Sequence, residues 1–162
     1  MPSSAAQIAY ALEDALVNLL TAETQPGGKL AGIVLIEKAA PPEQKLFPCI
    51  GVAFTRFDEQ PLGIGRDDAA AMFDLVLVVE GKFAQGRNDM MARARAALRP
   101  FVDDGASNGL IPLLMSQPTL SGICRRSKII SAEEILLESK AQQAGTLVAY
   151  AVTFQAQFSV QL

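Results

Sequence analysis

The sequence predicts an α+β fold: a mixed, mostly antiparallel sheet of about four to six strands, with two helices packed mainly on one face. Three observations predict it. Apolar residues recur at helical or strand spacing in the order helix, strand, strand, strand, helix, then strands. No regular strand–helix–strand alternation occurs, which disfavours a doubly wound nucleotide fold. In the last segment an apolar residue stands at every second position from Val148 to Val160 without a miss. The 162 residues read as a single domain, 1–162, with no internal repeat and no low-complexity tract.

The first helix covers residues 4–22. Ser4 and Gln7 fit a capping box just ahead of an apolar run. Ile8, Leu12, Leu16, Leu19 and Leu20 make one stripe, and Glu13, Asp14 and Asn18 lie off it. Pro26-Gly27-Gly28 ends the element. Residues 30–38 hold Ile33, Val34, Leu35 and Ile36 between Gly32 and Pro41-Pro42, the pattern of a short strand. Residues 47–57 form a second strand, with Ile50, Val52 and Phe54 on one face. Its other face carries Cys49, Gly51, Ala53 and Thr55, small residues that predict close packing of something over them. Asp58 to Asp68 contains Pro61, Gly63 and Gly65 and reads as an exposed loop.

Residues 71–83 form a third strand. Phe73, Leu75, Leu77 and Val79 share one face; Met72, Asp74, Val76, Val78, Glu80 and Lys82 share the other, apolar only in its middle. That pattern predicts a sheet covered on one side and half covered on the other. The second helix covers 87–101, with a stripe of Met90, Met91, Ala94, Ala97, Leu98 and Phe101. Arg87, Arg93, Arg95 and Arg99 keep mostly to its polar side. Leu110 to Met115 is apolar but broken by Pro112, and residues 119–130 and 132–138 read as a hairpin or one bent strand. From about 146 to 161, Val148, Tyr150, Val152, Phe154, Ala156, Phe158 and Val160 alternate with polar, uncharged residues, Thr153, Gln155, Gln157, Ser159 and Gln161 among them. Strands usually run about 3–10 residues, so this one is expected to extend beyond its own sheet or to pair with a neighbouring subunit.

Composition removes much chemistry. The chain has no His, which excludes Ser-His-Asp triads, Cys-His pairs and HExxH zinc sites. Cys49 and Cys124 cannot make a four-thiolate zinc site, and neither belongs to a CxxC. The net charge of −3 gives no global attraction for nucleic acid. No apolar run reaches the roughly 18 residues of a membrane-spanning helix. The start, Met1-Pro2-Ser3-Ser4, lacks the basic region of a signal peptide. A reducing cytoplasm with both thiols free is the expected setting. Half of the residues are hydrophobic. Either the core is large for the length, or part of the surface is buried in an oligomer.

Candidate chemistry is thin. Gly63-Ile64-Gly65 lacks the third glycine of a dinucleotide loop, precedes a strand, and is followed by Asp67-Asp68. Asp67-Asp68 and Asp103-Asp104 sit in predicted turns, where Asp bonds its own backbone; a divalent-cation site is the sharper reading. Glu133 and Glu134 are adjacent on a strand and point to opposite faces. Cys49 and Cys124 read as small buried hydrophobes, although Arg125-Arg126 would lower the pKa of an exposed Cys124. No cofactor and no metal site is expected, and the chain reads as a non-enzyme. A metal- or thiol-dependent enzyme using Asp67, Asp68 or Cys124 is the alternative.

Charge gives one cluster, Arg125, Arg126 and Lys128. It reads as a strand edge blunted by charge, or as a contact for a phosphate backbone or an acidic partner. The helix arginines, Arg93 and Arg95 among them, read as a solvated face or a contact with acidic side chains of a neighbouring subunit. A third functional reading is capture of an extended peptide on the edge of the terminal strand.

The order of elements resembles the phage tail terminator, or minor tail, proteins. The resemblance covers roughly residues 4–160. It rests on the amphipathic helix Ile8 to Leu20 and the strand Pro48-Cys49-Ile50-Gly51-Val52-Ala53-Phe54. It continues in Phe73-Asp74-Leu75-Val76-Leu77-Val78-Val79-Glu80-Gly81, in the helix Asp89 to Phe101, and in Gly145-Thr146-Leu147-Val148-Ala149-Tyr150-Ala151-Val152-Thr153-Phe154. What the resemblance implies is a hexameric ring, made in the host cytoplasm, at the head–tail junction of the virion. The ring would cap the tail tube, end its polymerisation and meet a head-side connector, with DNA passing through its hole. Arg125, Arg126 and Lys128 are then candidates for lumen or partner contact. Arg93, Arg95, Phe154 and Phe158 are candidates for the subunit interface.

Overall fold

The chain begins as its capping box requires. Ser4 Oγ accepts a hydrogen bond from Gln7 N–H at 3.1 Å, and Gln7 Oε1 accepts one from Ser4 N–H at 2.9 Å. The computed structural model describes residues 4–44, 46–59, 67–81, 87–137 and 146–160. The loop reading at 58–68 with its Gly63-Ile64-Gly65 motif, and the placements of Lys82 and Gln161, fall largely or wholly outside these residues.

Helix α1 spans Ala5–Ala22 and buries Ala9, Leu12, Leu16 and Leu20; Ile8 and Leu19 are half-buried beside them. Strand β1 is only Leu35–Glu37, not 30–38. Ile33 N–H donates to Leu30 O, and Gly32 has φ +103°, so the chain turns before it extends. Leu30 and Ile33 reach the core from that turn. β2 (Cys49–Glu59) and β3 (Asp67–Gly81) follow, then α2 (Arg87–Val102). Ala94 and Leu98 face inward as expected, whereas Ala97 is exposed.

The segment 110–138 differs most from expectation. Leu110–Met115 is a short helix, α3, whose Pro112 is its third residue. Proline is tolerated there because the first turn has no internal partners for its N–H groups. Residues 119–125 carry turns rather than a strand. β4 is one strand, Arg126–Leu137, with a register shift between Ile129 and Ser131 that leaves Ile130 as a bulge. Of the two readings of 119–138, the single bent strand holds, over Arg126–Leu137, and the hairpin does not. β5 is Thr146–Val160.

The fold is α+β, with a five-stranded sheet in the order β1-β2-β3-β5-β4. β1 runs parallel to β2, and every other neighbouring pair is antiparallel. β5 lies inside the sheet and pairs with β3 from Asp67↔Val160 to Gly81↔Thr146. Its length is matched within the subunit, which corrects the expectation that it overhangs the sheet or seeks a neighbour. No peptide can add to β5, because both of its edges are taken.

The helices number three where two were expected, and all of them pack on one face of the sheet, as expected. α1 places Tyr10 edge-on against Phe54, α2 reaches Glu134 through Arg95, and α3 sets Leu114 near Ile129 and Phe154. Phe73, Leu75, Leu77 and Val79 of β3 and Val148, Val152, Phe154, Ala156 and Phe158 of β5 meet them in one core. Each large apolar side chain fully buried there contributes about 1.5–3 kcal/mol. On the opposite face Cys49, Val76, Val78 and Ala149 form a second, smaller cluster, covered in part by Ala40 and Phe47. Gly51 explains why small residues stand there. A Cβ on it would come 1.9 Å from Ala39 O and 2.9 Å from the Pro42 ring, so the 39–42 segment crosses in direct contact.

Candidate functional site

The basic cluster is the place to start, and the fold divides it. Arg125 precedes β4 and donates its backbone N–H to Gln157 O at 2.8 Å. Its guanidinium donates to Asp68 Oδ1 at 3.0 Å and to Ser159 Oγ at 3.1 Å, and Ser159 Oγ donates to Asp68 Oδ1 at 2.9 Å. Asp68 therefore serves a network that ties β3, β5 and the start of β4, and it lies in a strand rather than in the turn expected for it. The network is solvent-exposed, so its ion pair is worth at most about 1 kcal/mol. Arg126 and Lys128 stand opposite Gln157 and Gln155, are exposed, and have no ion-pair partner among the described residues.

Beside those two cations runs a groove of about 400 Å³, lined by Leu114, Met115, Pro118, Ser127, Lys128, Ile129 and Phe154. α3 forms one wall and β4 the other. Phe154 is only 1% exposed and Phe158 only 2%, because both belong to the core beneath the helices. Phe158 therefore offers no surface to a neighbour, and Phe154 meets the outside only as part of the floor of this groove. A second groove, about 340 Å³, lies among Gly32, Phe47, Pro48, Val79, Glu80, Ala97 and Phe101. It contains no cluster of nucleophilic or metal-ligating side chains.

Arg93, Arg95 and Arg99 are exposed on α2. Arg95 Nε donates to Glu134 Oε1 on β4, so part of the arginine face is answered within the subunit itself. Asp103 and Asp104 are turn residues, as their sequence setting predicts. Asp103 accepts from Gly105 N–H, and Asp104 accepts from the N–H groups of Ala106 and Asn108 and from Asn108 Nδ2. Its bond to the Asn108 side chain is the main reason the Asp104 carboxyl sits below its ordinary pKa.

Both thiols are buried and reduced. Burial, with a smaller contribution from Glu37, pushes the Cys49 thiol up to about 11. Burial also raises Cys124, whose Sγ lies 3.7 Å from Pro118 O. Arg125, which would activate an exposed Cys124, is turned to Asp68 instead. Among the described residues no group of three His, Cys, Asp or Glu stands close enough to hold a metal ion, and no helix is long and apolar enough to cross a membrane.

The groove itself was not foreseeable. Leu114, Pro118, Lys128 and Phe154 are far apart in the chain, and only the turn at 116–125 brings α3 back over β4. Two residues do mark its rim: the basic Lys128 and the exposed Met115. No protein-family model matches this chain, and no curated protein is similar enough to match it.

Proposed function

We propose that the chain is a structural ring subunit of a phage or prophage head–tail junction, a tail terminator. In this role it assembles as a homo-oligomer, expected to be a hexamer, on the end of the tail tube. The ring ends tube polymerisation, presents a surface to the head-side connector and lets DNA pass without reading its sequence. One observation carries the reading. A single copy buries its core completely, yet leaves large apolar side chains uncovered at both edges of its sheet, Val34 and Leu46 near β1 and Met115 and Ile130 near β4. Ring assembly through unlike surfaces removes such side chains from water.

The test uses tail tubes. Purified protein is added to polymerising tube protein and the products are viewed by electron microscopy. A ring at one end of each tube and a halt in elongation are expected. Protein that stays monomeric and leaves tube length unchanged sinks the reading. Binding to the connector but not to tubes favours another small head–tail joining protein of the same ring-forming kind.

A further inference from the structure

A closed ring needs two different contact surfaces on every subunit, because each copy meets its two neighbours through unlike faces. The exposed large hydrophobic side chains outside α1 fall into two groups at opposite ends of the sheet. Val34 is 61% exposed and Leu46 53%; Val34 N–H donates to Pro48 O, which holds this pair of segments beside β1. At the other end Met115 is 71% exposed, Ile123 38% and Ile130 46%, all around α3 and β4. The two groups lie at the opposite edges of the five-stranded sheet, β1 and β4.

Charge separates them too. The β4 end carries Arg126 and Lys128 with no ion-pair partner among the described residues. The β1 end carries Glu37 and Glu43, while the nearby Lys38 is neutralised by its ion pair with Asp14. Lys45, next to Leu46, lies outside the described residues. Glu37 accepts the backbone N–H groups of Glu43 and Gln44, which fixes its carboxylate at this edge. The ends also differ in shape: β1 presents projecting apolar side chains, and β4 presents the groove over Phe154.

We propose that the β4 end of one copy receives the β1 end of the next, head to tail, with Val34 and Leu46 entering the groove between α3 and β4. Glu37 and Glu43 then face Lys128 at the rim of the groove. β1 is too short for a continuous ladder, so side chains rather than backbone pairing carry the contact. The inference rests on the ring reading for the closure of the assembly, but the contact has its own test.

Two variants, Val34→Glu and Met115→Glu, each spoil one end. Both side chains are about half exposed or more, so each variant should melt within a few degrees of the parent. The readout is mass by native mass spectrometry and sedimentation. The parent is expected to form closed assemblies larger than a dimer, and neither variant alone should do so. Mixed together, the two variants should give a dimer with one copy of each, because the mixture holds one intact β4 end and one intact β1 end. Assembly of either variant like the parent overturns the contact. So does a mixture without the mixed dimer, or a Val34→Glu homodimer built on β4 alone. If both variants still cap tail tubes, the contact falls and the ring reading stands; if the parent itself ignores tubes, the ring reading falls whatever the variants do.

Discussion

Glu13 of α1 accepts a hydrogen bond from the backbone N–H of Phe54 in β2 at 2.8 Å. The bond closes a gap in the sheet. β1 pairs with β2 only as far as Gly51, so the outer side of β2 is open beyond that point. Pro48 shows which side this is, since its carbonyl accepts Val34 N–H there, and Phe54 lies an even number of residues further along the strand. A helix side chain thus replaces the missing strand. Glu13→Ala should cost about 1–3 kcal/mol, the penalty for a part-buried donor left unmet by a charged acceptor. Glu13→Gln, which keeps an acceptor, should cost less. Denaturant melts of the two variants check the order.

Phe154 separates core from interface. Its ring is buried within one subunit, so Phe154→Ala should destabilise by about 3–5 kcal/mol. The loss should already be present at low protein concentration, where the subunit stands alone. A loss seen only in the assembled state would place the ring at a subunit contact instead.

Gly51 should tolerate no side chain. The Ala39 carbonyl occupies the position of its Cβ, and that atom is backbone, not the tip of a flexible side chain. Gly51→Val should lower the melting temperature sharply or prevent folding, whereas Ala53→Val, at a half-buried position of the same strand, should be milder. Thermal melts by circular dichroism decide.

The thiols give a pH prediction. Cys49 holds its proton to about pH 11 in the fold, against 9.0 for the ordinary group. Between those values the unfolded chain has released a proton that the folded chain keeps, so stability should fall as pH rises through that window. Below pH 9.0 this contribution is fully present. In native protein at pH 8, both cysteines should resist a thiol reagent, and both should react at once in denaturant. Fast native labelling of Cys124 would revive a thiol-dependent activity.

The elements legible in the sequence are those whose burial follows a simple period. The stripe of α1, the faces of β3 and the alternation of β5 stand in the structure as the residues imply, and the small face of β2 does announce a crossing segment. The failures have physical causes. Leu110–Met115 is too short for its apolar run to distinguish helix from strand. Leu30 and Ile33 look like strand residues because they are buried, but they are buried from a turn. Phe154 and Phe158 look available because a single strand does not reveal how many helices will cover it. The groove depends on contacts between residues distant in the chain, which no local period records.

The position of β5 has a consequence for the birth of the molecule. It is made after the other four strands of the sheet, yet β4 joins the sheet only through it. While β5 is still in the ribosome, β3 has an open long edge and β4 has no partner at all. The last strand to be synthesised is the one that fastens the outer edge in place. A chain interrupted ahead of Thr146 could form neither the groove nor the β4 rim, so one edge of the molecule exists only once its fifth strand is complete.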